Sequence, residues 1–121
     1  MDGVRVLLVD DEEELVETLV ERLQIRGFQA EGVTRGVDAI QRIREGDFEV
    51  VVLDMKMPGL DGMDVIVQLK HDRADIQVIL LTGHGSSEDA ARGIKAGAFD
   101  YLIKPVDIDE LIEIIRKAAD R

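Results

Sequence analysis

Three blocks of the chain are almost wholly β-branched or aliphatic: Val4 to Val9 apart from Arg5, Val50 to Leu53, and Ile76 to Leu81. Continuous runs of this kind read as strands buried on both faces. Phe28 to Val33 and Phe99 to Ile103 alternate more and suit sheet edges. Between the blocks, apolar residues recur at helical spacing: Leu15, Leu19 and Leu23 with Val16 and Val20, then Val37, Ile40 and Ile43, then Met63, Ile66 and Val67. Residues 87 to 96 carry mostly alanine as apolar contacts and include Gly93, which predicts a thin helix that moves at low cost. The clearest stripe is the last, with Ile108, Leu111, Ile112, Ile115 and Ala119 on one side. Gly27, Gly46 and Gly97 stand where helices should stop, in the manner of residues tolerant of the left-handed conformation.

Strict alternation of strand and helix predicts a parallel sheet with helices on both faces, because right-handed crossovers place them there. Five units fit a doubly wound (βα)₅ arrangement of strand order 2-1-3-4-5. Strands 1 and 3 are then neighbours, and the crevice outside their carboxyl ends is where a ligand binds. A length of 121 residues suits one domain, expected to occupy residues 1–121.

That edge is acidic. Strand 1 runs into Asp10-Asp11 and strand 3 into Asp54. Clustered carboxylates either share a proton or gather a hard cation, and two or three of them with open positions left over suit Mg²⁺ better than Ca²⁺. Acids that open a helix also cap amides and complement its dipole, and Glu12, Glu13 and Glu14 are read that way. For Asp10-Asp11 both readings stay open. Asp54 is different, since Pro58-Gly59 and Asp61-Gly62 place a turn-rich loop between it and the next helix. Thr82-Gly83 ends strand 4 and Lys104-Pro105 follows strand 5, so a hydroxyl and an ammonium reach the same edge, and both suit a phosphate. Taken singly, such a threonine usually bonds nearby backbone and such a lysine is usually solvated.

Composition narrows the function. The net charge of −11 opposes binding to nucleic acid phosphates. No apolar stretch approaches a membrane span, residues 1 to 15 do not read as a signal peptide, and there is no cysteine, so the cytoplasm is the expected location. Two separated histidines, His71 and His84, do not make a transition-metal site.

Asp10-Asp11, Asp54 with Met57-Pro58-Gly59 and Gly62, Thr82-Gly83, and Gly97-Ala98-Phe99-Asp100-Tyr101-Leu102-Ile103-Lys104-Pro105 together resemble the receiver domain of two-component response regulators, across essentially the whole chain. The resemblance implies a flavodoxin-like fold in which Asp54 accepts a phosphoryl group from a phosphohistidine on a sensor histidine kinase or phosphotransfer protein. It implies Mg²⁺ held by Asp11, by Asp10 partly through water, by Asp54 and by the Lys56 backbone carbonyl. It further implies a switch linking Thr82 to Tyr101, a surface around residues 87–116 that feels phosphorylation, a cis Lys104-Pro105 peptide, and phosphate lifetime set by Lys56 and His84. By the same resemblance the chain catalyses only its own phosphorylation and dephosphorylation, and a phosphorylation-dependent homodimer is a further expectation. Tyr101 also reads as an ordinary edge-strand residue with its hydroxyl in water, and His84 as an exposed loop residue. Residues 97–101 look more like receivers of σ54-activator regulators or hybrid kinases than like those of winged-helix regulators. An aspartyl-phosphate phosphatase of the haloacid dehalogenase type is the alternative, but it wants Asp-x-Asp where this chain has Asp10-Asp11-Glu12. A flavodoxin-like cofactor carrier would set the acids of residues 10–14 against a flavin phosphate.

Overall fold

The computed structural model describes residues 3–57, 60–83 and 87–120. In chain order the elements are β1 (Arg5–Val9), α1 (Glu13–Ile25), β2 (Gln29–Val33), α2 (Gly36–Glu45), β3 (Val50–Asp54), β4 (Lys56–Met57), β5 (Leu60–Asp61), α3 (Gly62–Asp72), β6 (Gln77–Thr82), α4 (Ser87–Lys95), β7 (Asp100–Ile103) and α5 (Ile108–Ala119). Five strands form one parallel sheet in the order β2-β1-β3-β6-β7. The expected order 2-1-3-4-5 did not allow for the two-residue strands β4 and β5, which pair antiparallel with each other and displace the numbering of the last two sheet strands. They escape an apolar-run reading because a two-residue ladder held by Lys56↔Asp61 and Met57↔Leu60 has no hydrophobic period. β2 and β7, the strands with broken apolar runs, hold the edges.

The period of two along each strand divides the core. Val6 and Leu8, Val50 and Val52, and Ile79 and Leu81 pack with Leu19 and Leu23 of α1 and Leu111 and Ile115 of α5. Their neighbours Leu7 and Val9, Val51 and Leu53, and Val78 and Leu80 pack with Ile43 of α2 and Val65, Ile66 and Leu69 of α3 on the other face. Burial on both faces is what makes these strands continuous in apolar character. At the amino-terminal edge Phe48 is fully buried, with the guanidinium groups of Arg5 and Arg42 at 5.2 and 5.5 Å from its ring centroid.

Two of the three helix stops take the left-handed backbone, Gly27 at φ 94° and Gly97 at φ 120°. Gly46 corrects the third. It caps α2 with an extended φ of −114°, and glycine is required there by proximity, since a Cβ would stand 2.8 Å from the Phe48 ring. Gly62 matters more for the site. It opens α3 beneath the residue that follows Asp54, and a Cβ on it would meet the Met55 carbonyl oxygen at 2.8 Å and its Cα at 2.9 Å. Asp61 caps the same helix by accepting from the Met63 N–H at 2.9 Å.

Gly62→Ala gains helix propensity, about 1 kcal/mol at most. It forces two backbones apart, which costs about 1–3 kcal/mol. Because backbone cannot rotate out of the way, the clash wins, and urea unfolding of Gly62→Ala should show a net loss of stability; an unchanged or raised midpoint would contradict the tight seat.

Candidate functional site

Parallel register carries Asp54 to the carboxyl end of β3, beside Leu81 of β6, with β1 on its other side. Asp54, Asp10 and Thr82 are the buried polar residues among those described, at 6%, 2% and 2% exposure. Asp10 and Asp54 continue the phase of Leu8 and Val52, toward the α1 and α5 face. Thr82 continues the phase of Val78 and Leu80, toward the face of α3. Asp10 and Asp54 therefore lie toward one side of the sheet's rim and the hydroxyl toward the other.

Asp10, Asp11 and Asp54 each offer a carboxylate oxygen, all within 4.8 Å of one another. Asp11 is exposed, so the cluster is open to solvent on that side. Asp10 also shapes the local chain, its Oδ1 accepting from the Glu12 N–H at 2.9 Å. Asp54 Oδ1 accepts from the Lys56 N–H at 3.2 Å.

Lys104 arrives from the end of β7 through a cis peptide to Pro105. Its Nζ lies 2.8 Å from Asp10 Oδ2, 3.1 Å from Glu12 Oε1 and 3.6 Å from Asp54 Oδ2. The Asp10 contact is an ion pair rather than a well-aligned hydrogen bond. Burial works against the Lys104 charge, but the close Asp10 and Glu12 carboxylates and the field of Asp54 outweigh it and raise its pKa. Glu12 was expected to serve the helix. It stands at the N-cap of α1 without a side-chain capping bond and turns to Lys104 instead. Sequence reasoning missed that pairing, because the partners are 92 residues apart and nothing local signals it.

Asp54 remains short of positive charge. Burial, offset in part by the Lys56 N–H and added to by Asp10, pushes its pKa from 3.8 up to about 6. An all-oxygen donor set, close carboxylates and one open side fit a hard divalent cation such as Mg²⁺.

The other expected residues are placed less completely. Thr82 ends β6 opposite Ile103, one residue before Lys104. Gly83 is exposed beside it. Tyr101 is 40% exposed on β7. His84 and the Pro58-Gly59 pair lie outside the described residues. The Lys56 ammonium meets α4, its Nζ 3.6 Å from Asp89 Oδ2. Asp89 is a second residue that the sequence did not single out.

Residues 6–116 match the profile of the response regulator receiver domain. The chain belongs to that family. It is a receiver of the kind found in two-component systems, and a dehalogenase-type phosphatase finds no support. The transcriptional regulatory protein TcrA of Mycobacterium tuberculosis is 36% identical over the whole of this receiver, which covers 48% of that protein. The chain thus spans about half the length of the curated relatives it matches. A response regulator receiver domain protein from Clostridium thermocellum superimposes with a TM-score of 0.93 at 34% identity, covering 98% of this receiver and 95% of the other. The beryllofluoride-activated NtrC4 receiver domain dimer gives 0.89 at 37% identity, covering 96% of each chain. No helix among the described residues of this receiver is long and apolar enough to cross a membrane.

The raised pKa of Asp54 has a direction that can be measured. Between pH 3.8 and about 6 the folded receiver holds a proton that the unfolded chain has released, so this group's contribution to stability is full below that window and lost as pH rises through it. In EDTA, Asp54→Asn should exceed the wild type in urea stability by about 1–3 kcal/mol at pH 7.5, converging toward pH 4. Adding Mg²⁺ should narrow the gap by stabilising the wild type alone. An advantage independent of pH would refute this account of the site.

Proposed function

We propose that Asp54 is the phosphoacceptor of a single receiver domain spanning residues 1–121, charged from the phosphohistidine of a sensor histidine kinase or phosphotransfer protein. The observation that carries the reading is the placement of Asp54: at a buried strand end, within reach of two further carboxylates and one ammonium. Capping explains an aspartate there poorly, because the hairpin of β4 and β5 separates it from α3.

A carboxylate oxygen of Asp54 bonds to phosphorus as the bond from phosphorus to the donor histidine nitrogen breaks. The nitrogen regains its lone pair, and the product is an acyl phosphate. Such transfer asks little covalent chemistry of the protein beyond positioning and the neutralising of spread charge. Asp10, Asp11, Asp54 and the Lys56 carbonyl are the groups suited to hold Mg²⁺, which when bound supplies most of that neutralisation. Lys104, already shared among three carboxylates, has an ammonium free to follow the added charge from Asp54 onto the phosphoryl oxygens. Thr82 supplies a hydroxyl donor from the other side of the rim. Its turn toward the phosphoryl group carries the signal to the α4 and β7 surface, where Tyr101, now partly in solvent, follows it inward. His84 sits close enough in sequence to Thr82 to join Lys56 in setting how long the phosphate survives.

On this reading the chain acts on itself alone, in the cytoplasm, and the output belongs to whatever it joins or binds. Pairing of two phosphorylated copies is the simplest output, as the NtrC4 receiver is a dimer when activated by beryllofluoride.

Incubation with acetyl phosphate and Mg²⁺ should add one phosphoryl group by intact mass, and Asp54→Ala should gain none. A phosphoryl group that persists in Asp54→Ala sinks the acceptor assignment. Beryllofluoride should bind only with a divalent cation present, and Asp11→Ala should weaken that requirement's ion by at least about ten-fold, the scale of losing a charged ligand. Metal-independent binding would remove Asp11 from its role.

A further inference from the structure

A groove of about 630 Å³ opens between the acceptor loop and α4, lined among others by Asp11, Met55, Lys56, Asp61, Asp89 and Arg92. Lys56 belongs to it in two ways. Its main chain is tied to the acceptor, the N–H donating to Asp54 Oδ1. Its side chain, 73% exposed, reaches across the groove to Asp89 Oδ2. Asp89 is only 25% exposed, and its second oxygen lies 3.8 Å from Nη1 of Arg92, one turn further along α4. Ala90 and Gly93 are buried on the same helix, so Asp89 is carried on an element packed against the sheet, and Lys56 reaches it on a long flexible stem.

Both separations exceed a good hydrogen bond, so the contacts are Coulombic and contribute little to stability. Their effect is on position. A lysine ammonium is a compact charge that turns toward the stronger nearby anion. Lys56 has two anions to choose between, Asp89 on α4 and the acceptor from which its own backbone departs. Phosphorylation carries the acceptor toward −2 while Asp89 keeps a single charge.

We propose that Asp89 is a positioning residue for the lifetime of the acyl phosphate: it competes with the phosphoryl group for the Lys56 ammonium and so leaves that group more open to water. The inference rests on Asp54 being the acceptor. In hydrolysis a water oxygen bonds to phosphorus as the bond from phosphorus to the Asp54 oxygen breaks, giving inorganic phosphate and the free carboxylate, with the water's proton passing to phosphate and solvent. An ammonium released from Asp89 pairs with the phosphoryl oxygens and occupies the space through which that water arrives.

The test charges the wild type, Asp89→Asn, Asp89→Glu, Lys56→Met and the Lys56→Met/Asp89→Asn double variant with acetyl phosphate and Mg²⁺, removes the donor, and follows loss of the phosphoryl group by intact mass. Asp89→Asn should lose it roughly two- to five-fold more slowly than the wild type, the range set by one exposed ion pair. Asp89→Glu should restore the wild-type rate, and in the Lys56→Met background Asp89→Asn should change nothing further. Decay in Asp89→Asn at or above the wild-type rate overturns the proposal, as does equal slowing with Lys56 absent. A wild type that takes no phosphoryl group defeats the function above together with this inference, whereas a charged wild type matched by Asp89→Asn defeats the positioning role alone.

Discussion

Asp10 and Asp54 are buried side by side at the carboxyl ends of adjacent strands, and two carboxylates so placed repel each other with little water to screen them. The Lys104 ammonium, 2.8 Å from one and 3.6 Å from the other, is the charge that lets them coexist. It also reaches Glu12, so the loop after β1, the end of β3 and the end of β7 are joined through one atom. The compensation is incomplete: burial above all, with the field of Asp10 added to it, still raises the Asp54 pKa. A site left partly unneutralised is disposed to take up a cation and, through it, an anionic group.

Much of this was legible in the sequence. Val50 to Leu53 is apolar because both faces of the sheet are covered, and a carboxylate at the end of such a run has no structural excuse. Strand order follows from β–α alternation and handedness, so Asp10, Asp11 and Asp54 could be brought together without coordinates. What escaped has a common cause. Glu12 on Lys104 and Lys56 on Asp89 are pairings of long side chains across distant elements, and their geometry depends on rotamers that no local pattern encodes. Gly46 was placed correctly at a helix end for the wrong reason, since its need is room for Phe48 and not a left-handed turn. The hairpin of β4 and β5 was missed because two residues cannot show a period.

The two edges of the sheet differ in kind. At the amino-terminal edge Phe48 is enclosed, with two guanidinium groups over its ring, and Arg73 donates to the Gly46 and Phe48 carbonyls. At the carboxyl edge the groups are charged, shared and only partly satisfied. Rigidity at one end supports adjustability at the other, a division in keeping with the low cost of moving elements that bury little.

The alternation of phase along the strands has a further consequence. Asp10 and Asp54 follow the phase that faces α1 and α5, while Thr82 follows the phase that faces α3, so the sheet's rim separates where charge arrives from where a hydroxyl can respond. On the proposed reading the domain is a transducer, with charge added on one face of the sheet and a hydroxyl placed to answer it on the other.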